Sequence, residues 1–443
     1  MKEFDLAIIG AGAGGLNSAY AGLAMGKSVL LIDKHKPGGE CTWFGCIPSK
    51  ALIHIADEIH TATKYADVTV DSKAILGKVR ALTERAHQAE HPDVLTNAGI
   101  HYINGYARLK DARTLDVDGE EYTAKKIIVT PGSSPAVPPV KGLDQVEYLT
   151  NVNVFHQDEL PETMIVLGAG AIGVELSQAM NRLGVRVTLV ELSDTILPKE
   201  DKELSTALQE TLISEGVNIL TSAEAVSVSN NTRGISLTVM KDGASLEIEG
   251  ERILLALGRK PNVHGMGLET IGVDFDHSGI KVDEYLETTV KGVYAIGDAV
   301  GSYQFSHMAG FQARLAISNA FSDSKEAVDY QNKVWSTFTH PELARSGMTE
   351  EEAKAAYGNK IKVVRFDFSD LDRAVVDEAT NGMIKIIVDE NDHILGASIL
   401  GERASELVSE LQVIKTFNHK LSDLKKVIHP YPSYSSVLQE LED

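Results

Sequence analysis

Two glycine-rich turns, each set between a strand and a helix, constrain this chain more than any other feature. The first reads Gly10-Ala11-Gly12-Ala13-Gly14-Gly15 and follows the apolar run from Phe4 to Ile9. The second reads Gly168-Ala169-Gly170-Ala171-Ile172-Gly173 and follows Met164 to Leu167. Both contain G-x-G-x-x-G. In such a motif the first glycine permits a tight turn, the second lets backbone approach a pyrophosphate, and the third lets helix and strand pack closely. The helix that follows presents free amide N–H groups to phosphate. A second strand comes next in each unit, Ser28 to Ile32 and Val185 to Val190, and each ends in a carboxylate, Asp33 and Glu191. An acid about twenty residues past the turn can bond a ribose hydroxyl. One motif alone is weak, since tight glycine turns are common. Two, each with strand, helix and acid in place, predict two βαβ units and two dinucleotides, most simply FAD and a nicotinamide. Glu191 suits the 2′-hydroxyl of NAD and repels the 2′-phosphate of NADP. Arg186 lies on the intervening strand and is poorly placed to offset that, so NADH is expected over NADPH.

The remaining pattern divides the chain further. At 443 residues, two to four domains of ordinary size are expected. Helices are predicted from Ser49 to Tyr65 and from Ser72 to Ala89, then short strands at Ile100 to Tyr106 and Lys126 to Thr130. Pro131 to Pro139 reads as a connection, and Gly258 to Asn262 as the exit from the second nucleotide unit. From Lys333 onward, strands at Ile361 to Phe368 and Met383 to Val388, then a helix from Ser405 to Asn418, suggest a separate α+β domain. A net charge of -21 argues against nucleic acid or an anionic membrane as partner, because both need a basic surface. No run approaches the roughly 18 apolar residues that span a bilayer. The first ten residues lack the features of a secretory signal, so the expected location is cytoplasmic.

The chain has only two cysteines, Cys41 and Cys46, five positions apart. In a regular helix such residues have Cα atoms roughly 8–9 Å apart, and a disulfide tolerates no more than about 7 Å. Pairing them requires a distorted turn, for which Gly45 and Pro48 are suited. A helix beginning near Pro48 would bring its positive end to the thiols and lower their pKa. Redox chemistry is the leading reading. A pair of buried structural thiols is the plainer alternative, and structural zinc lacks further cysteines to complete a site. No metal site is expected.

The segment Gly38-Gly39-Glu40-Cys41-Thr42-Trp43-Phe44-Gly45-Cys46-Ile47-Pro48-Ser49-Lys50 resembles the redox-active disulfide motif of the class I pyridine nucleotide-disulfide oxidoreductases, which include dihydrolipoamide dehydrogenase, glutathione reductase and mercuric reductase. Both fingerprints, Gly258-Arg259-Lys260-Pro261-Asn262 and Tyr294-Ala295-Ile296-Gly297-Asp298-Ala299 match in order, so the similarity covers essentially the whole chain. The resemblance implies an α/β fold with two Rossmann-like dinucleotide-binding domains and a C-terminal α+β dimerisation domain. The FAD-binding domain would be discontinuous (1–148 and 259–328), the NAD(P)-binding domain would span 149–258, and the dimerisation domain 329–443. It further implies FAD held by Gly10, Gly12, Gly14, Gly15, Asp33, Lys34, Gly39, Ala107, Thr130, Gly132 and Asp298. The nicotinamide would be held by Gly168, Gly170, Ile172, Gly173, Glu191 and Gly258. By the same resemblance Cys46 is the thiol nearest the flavin and Cys41 the interchange thiol. Lys50 and Glu175 form an ion pair beside the flavin N5 edge. At Ala171, where glutathione reductase carries a gating tyrosine, no such gate can exist. A homodimer follows, with a small-molecule electron acceptor.

The chain departs from the family at its end. The motif His-x-His-Pro-x-x-x-x-Glu, whose second His and Glu form an acid–base dyad, reads His429-Pro430-Tyr431-Pro432-Ser433-Tyr434-Ser435-Ser436. Tyr431 replaces the His and Ser436 the Glu. A phenol with a reference pKa near 10 is a poor proton shuttle at neutral pH, and His429 is the candidate substitute base. Tyr431 resembles mercuric reductases, but the C-terminal cysteine pair of those enzymes is missing. A small disulfide is the first expectation for the acceptor. A soft metal ion, a quinone or oxygen are alternatives, and a non-catalytic redox sensor is a third reading. His87-Gln88-Ala89-Glu90-His91 matches a zinc pattern but reads better as a solvated helix end, and His54 with Glu58 as a surface pair.

Overall fold

The computed structural model describes residues 2–232, 234–301 and 303–441. Strand β1 (Lys2–Ile9), helix α1 (Ala13–Ala24) and strand β2 (Val29–Asp33) form the first βαβ unit. β1 and β2 run parallel, with Leu6 opposite Val29 and Ile9 opposite Ile32. Leu6 to Ile9 and Val29 to Ile32 are all buried, as expected of a parallel sheet covered on both faces. The strand His101–Asn104 extends the sheet beyond β2. On the other side β1 pairs with Glu120–Val129, and there the sheet branches. One branch is the antiparallel pair Thr114–Val117 and Ala107–Leu109; the other is Val293–Ala295, parallel to Glu120–Val129. The chain thus leaves this sheet after Val129 and returns to it more than 160 residues later.

What it builds in between is a second parallel sheet, in the order Asn218–Leu220, Arg186–Val190, Thr163–Leu167, Arg252–Leu255, plus a three-stranded antiparallel sheet. The two crossing segments, Ser133–Pro135 and Arg259–Pro261, pair with each other as a short antiparallel ribbon. Parts of the two segments that read in the sequence as a connection and as a domain exit, Pro131 to Pro139 and Gly258 to Asn262, are therefore paired strand. The last unit is a five-stranded antiparallel sheet covered by the helix Ala404–Thr416.

Between β2 and His101–Asn104 lie α2 (Gly39–Phe44), α3 (Cys46–Thr63) and α4 (Ser72–His87). α3 starts at Cys46, a few residues before the helix predicted from Ser49. Gly45, at φ -126° and ψ -110°, interrupts the helical backbone between α2 and α3. Pro48 then falls in the first turn of α3, where its missing N–H costs nothing. α3 and α4 pack away from the first sheet, which contributes no residue to their core. Leu52, Ile55, Ile75 and Val79 share one core with Val166, Val174 and Leu204 of the second unit and with Leu343 and Leu400 of the last. The helix that starts at Cys46 is thereby clamped by all three units.

Candidate active site

The two fingerprints fold into the same atomic arrangement. Gly10 and Gly168 adopt φ of +106° and +96°, which side chains rarely tolerate. A Cβ on Gly15 would lie 1.8 Å from the Gly10 carbonyl oxygen, and one on Gly173 would lie 1.9 Å from that of Gly168. Only glycine lets each helix pack this closely on its turn. The Asp33 carboxylate accepts hydrogen bonds from the Ala11 and His35 amides at 2.6 and 2.8 Å. Glu191 accepts from the Ala169 and Ser193 amides at 2.7 and 2.8 Å. Each acid braces its own turn and keeps acceptor capacity free for a ribose. Arg186 sits at the opposite end of its strand from Glu191 and turns toward Glu162, 3.9 Å away.

The first turn opens into a cavity of about 360 Å³ lined by Gly12, Asp33, Lys34, Ala107, Thr130 and Asp298, and by Cys41 and Ser306. Gly10, Gly14, Gly39 and Gly132 also line it. Its volume lies in the range of cofactor sites, about 300–1,000 Å³. It extends from Asp33 to Cys41, a shape that fits an elongated dinucleotide such as FAD. Gly12 and Gly39 face each other so closely that a Cβ on Gly39 would lie 2.6 Å from the Gly12 Cα. Ala107 is buried at the start of its strand. In the second unit a Cβ on Gly170 or Gly258 would meet open space, which leaves backbone accessible there. Ile172 packs partly into the core.

Cys41 lies within α2, and Cys46 opens α3. Both are free thiols. A Cβ on Gly45 would sit 3.3 Å from the Cys41 Cα, so the break folds the chain tightly back on itself. The Cys41 thiol bonds Cys46, and that donation brings Cys46 down to about 6. Ser306, whose Oγ is 3.5 Å from the Cys46 Sγ, and the charge on Lys50 add to the effect. Cys41 is pushed up by the same bond and by burial. The pair is therefore polarised, with a thiolate at Cys46 and a protonated thiol at Cys41. Lys50 Nζ lies 2.7 Å from Glu175 Oε2. The other Glu175 oxygen accepts the Phe338 amide at 2.8 Å, and the Phe338 ring lies 4.4 Å below the Lys50 ammonium.

Several contacts here escaped sequence reasoning. Glu40, next to Cys41, pairs with Arg259 and accepts from Asn151 Nδ2 at 2.7 Å. Arg259 also donates to Ser133 Oγ at 2.7 Å and lies 3.5 Å from Asp298. Arg259 stood in a recognised motif, yet nothing in its position named its partners. His87 is not at a solvated helix end. It is buried, its ring 4.5 Å from that of Trp43, while Glu90 accepts from Thr42 at 2.9 Å. Apolar packing of Trp43 draws the end of α4 in behind α2. Among the described residues no group of three or more His, Cys, Asp or Glu is placed to hold a metal ion. His54 and Glu58 do form an exposed pair, at 3.5 Å.

The C-terminal candidates do not meet the cysteines within the protomer. Tyr431 is 74% exposed and its hydroxyl donates to Asp372 Oδ2 at 2.6 Å, a bond that raises its pKa. The His429 ring is turned inward, with Nε2 2.9 Å from Glu410 Oε1. Ser436 is buried and donates to the Ser433 carbonyl at 2.8 Å.

Two dinucleotide turns, a cavity joining one of them to a polarised thiol pair, and a lysine–glutamate pair beside it define a flavin- and nicotinamide-dependent dithiol oxidoreductase. Residues 4–313 match the model of the pyridine nucleotide-disulphide oxidoreductases, and residues 334–442 match their dimerisation domain. The chain belongs to the pyridine nucleotide-disulphide oxidoreductase family, whose enzymes use FAD and NAD(P)H. It is 35% identical to a dihydrolipoyl dehydrogenase of Thermus scotoductus, over 99% of this chain and 97% of that protein. It is 30% identical to a mercuric reductase of Staphylococcus aureus, over 97% of this chain and 80% of that one. The Cu(II) complex of the HOCl-induced flavoprotein disulfide reductase RclA from Escherichia coli superposes with a TM-score of 0.88 at 27% identity, covering 98% of this chain and 99% of that structure. No helix among the described residues is long and apolar enough to cross a membrane.

Proposed function

We propose that this chain is an NADH-oxidising flavoenzyme that delivers electrons from the Cys41–Cys46 pair to a small soluble acceptor, in the first instance a disulfide. The observation that carries the reading is the polarised pair itself, with Cys46 as thiolate beside Lys50 and Ser306, and Cys41 in the cavity wall. When bound, FAD supplies the two-electron step between nicotinamide and disulfide. Gly10, Gly12, Gly14, Gly15 and the N-terminus of α1 hold its pyrophosphate. Asp33 holds a ribose; Lys34, Gly39, Ala107, Thr130, Gly132 and Asp298 complete the cradle. Gly168, Gly170, Ile172, Gly173, Glu191 and Gly258 do the corresponding work for the nicotinamide cofactor. Lys50 stabilises negative charge developing beside the disulfide. Glu175, braced by the Phe338 amide, keeps that ammonium in position. Cys41, as the protonated partner, is the thiol that attacks the acceptor once its proton leaves.

A soft metal ion is a second reading for the acceptor, and Tyr431 favours it. Its raised pKa means that it holds its proton through neutral pH and cannot accept one from a thiol. A thiophilic cation needs no proton donor. The mercuric reductases and the Cu(II) complex among the relatives support this reading. The matched dimerisation domain and the exposed Val413, Phe417 and Ile428 support a homodimer, and a chain of 443 residues with only two cysteines suits a reducing, cytoplasmic setting. The test is an anaerobic panel of lipoamide, glutathione disulfide, Hg(II), Cu(II) and a quinone, with oxygen tried separately, run with NADH and NADPH. The disulfide reading expects NADH oxidation matched by free thiol, lost in Cys41→Ser. Turnover of metal ions alone selects the second reading, and failure to oxidise either nicotinamide sinks both.

A further inference from the structure

We infer that Ser306 is the residue that holds the negative charge on Cys46 while Cys41 gives up its proton. The inference rests on the reading above, in which Cys46 is the thiolate of the pair.

Ser306 is the first residue of the 16-residue helix Ser306–Phe321, and its Oγ lies 3.5 Å from the Cys46 Sγ, a normal distance for a bond to sulfur. That helix has no side-chain cap, so the hydroxyl is not used to close its own first turn. Its hydrogen-bonding reach is confined to the two sulfurs, at 3.5 Å to Cys46 and also toward Cys41. It also lines the cavity beside Cys41. Four side chains face Cys46, each from a different helix. They are Cys41 from α2, Lys50 from α3, Glu175 from Ala171–Arg182 and Ser306 from Ser306–Phe321. Lys50 and Glu175 are bonded to each other at 2.7 Å, and they act on Cys46 in opposite directions. Both act on the sulfur through charge and not through a hydrogen bond. The direct donors are then the Cys41 thiol and the Ser306 hydroxyl.

These two donors differ in one respect. When Cys41 attacks a disulfide acceptor its proton passes through solvent to the departing thiolate, and its bond to Cys46 is lost with it. A hydroxyl keeps its proton at any working pH. Ser306 is the donor that persists, so it steadies the charge on Cys46 at the moment when the bond from Cys41 is lost. A serine that merely fills space at a helix start would have no effect on the protonation of Cys46.

The experiment uses full-length holoprotein. The Cys46 pKa is read from the pH dependence of the long-wavelength thiolate–flavin absorption after anaerobic reduction. It is read independently from the pH dependence of iodoacetamide alkylation in a Cys41→Ser background. Ser306→Ala should raise the midpoint by about one to two pH units in both, as loss of a bond to a charged group predicts, and Ser306→Thr should restore it. Ser306→Gly carries the same expectation and serves if the alanine variant does not accumulate. An unchanged alkylation midpoint in the alanine or glycine variant, with flavin content and thermal midpoint intact, overturns the inference. A wild type without the long-wavelength band refutes the functional reading instead, while the alkylation series still decides the role of Ser306.

Discussion

Replacing Glu191 by glutamine should collapse the discrimination between NADH and NADPH. Each oxygen of the carboxylate accepts one backbone amide, from Ala169 and from Ser193. A carboxylate offers about four lone-pair sites, so about two remain for ribose hydroxyls. A 2′-phosphate would bring a charge of about -1.5 to -2 to the same place. Two unit charges about 4 Å apart interact by about 4 kcal/mol at the effective dielectric of a protein surface. The half-exposed position of Glu191 and salt screening reduce this to about 2–4 kcal/mol, or roughly 30- to 1,000-fold. Among the described residues no cation is paired with Glu191. Arg186 stands five residues back along an extended strand, roughly 16 Å away, and Lys202 is engaged by Asp194 at 2.6 Å. Anaerobic stopped-flow reduction of the bound flavin by each nicotinamide measures the ratio without needing an acceptor. Wild type should favour NADH by that factor, Glu191→Gln should lose most of it, and Glu191→Lys should favour NADPH. A wild type that prefers NADPH, or a glutamine variant with an unaltered ratio, refutes the assignment.

Two further outcomes follow from charges in contact between units. Lys50→Met leaves the buried Glu175 without its cation. Flavin reduction by NADH should slow at least about tenfold, and Lys50→Met with Glu175→Gln should regain thermal stability but not rate; equal recovery of both would mean that the pair is only structural. The buried Arg182 donates to both oxygens of Glu215, through Nε at 2.9 Å, and also pairs with Asp57. Arg182→Met should cost about 3–5 kcal/mol, the usual loss when one partner of a buried cluster is removed. Burial holds the Asp57 pKa above its ordinary value. Such a group contributes stability that is fully present below its unfolded pKa and is lost as pH rises through its folded pKa. Without Arg182 that folded value rises further, so the deficit should shrink as pH falls from 8 to 5. Chemical denaturation at the two pH values tests this, and a deficit independent of pH refutes it.

The parts of the site that could be read from the chain are those made by neighbours in sequence. A tight turn needs glycine at Gly10 and Gly168 because a few consecutive residues determine its dihedrals. Asp33 and Glu191 reach those turns because one helix and one strand of standard length lie between. The Cys41–Cys46 spacing demanded a break in the helix, and Gly45 supplies it. Where local signals were read too simply, packing across the chain was the cause. His87 looked solvated until Trp43 covered it, and the Gly258 segment looked like a loop until Ser133–Pro135 paired with it.

The chain by itself thus determined two dinucleotide turns, their acids and a reactive thiol pair, because short-range sterics and spacing dictate all three. Only the tertiary structure decided which thiol carries charge and what braces the lysine beside it. Those answers depend on Ser306, 260 residues from Cys46, and on Phe338, 163 residues from Glu175. Contacts of that length leave no periodicity or motif in the sequence, and they exist only once the shared core has brought the three units together.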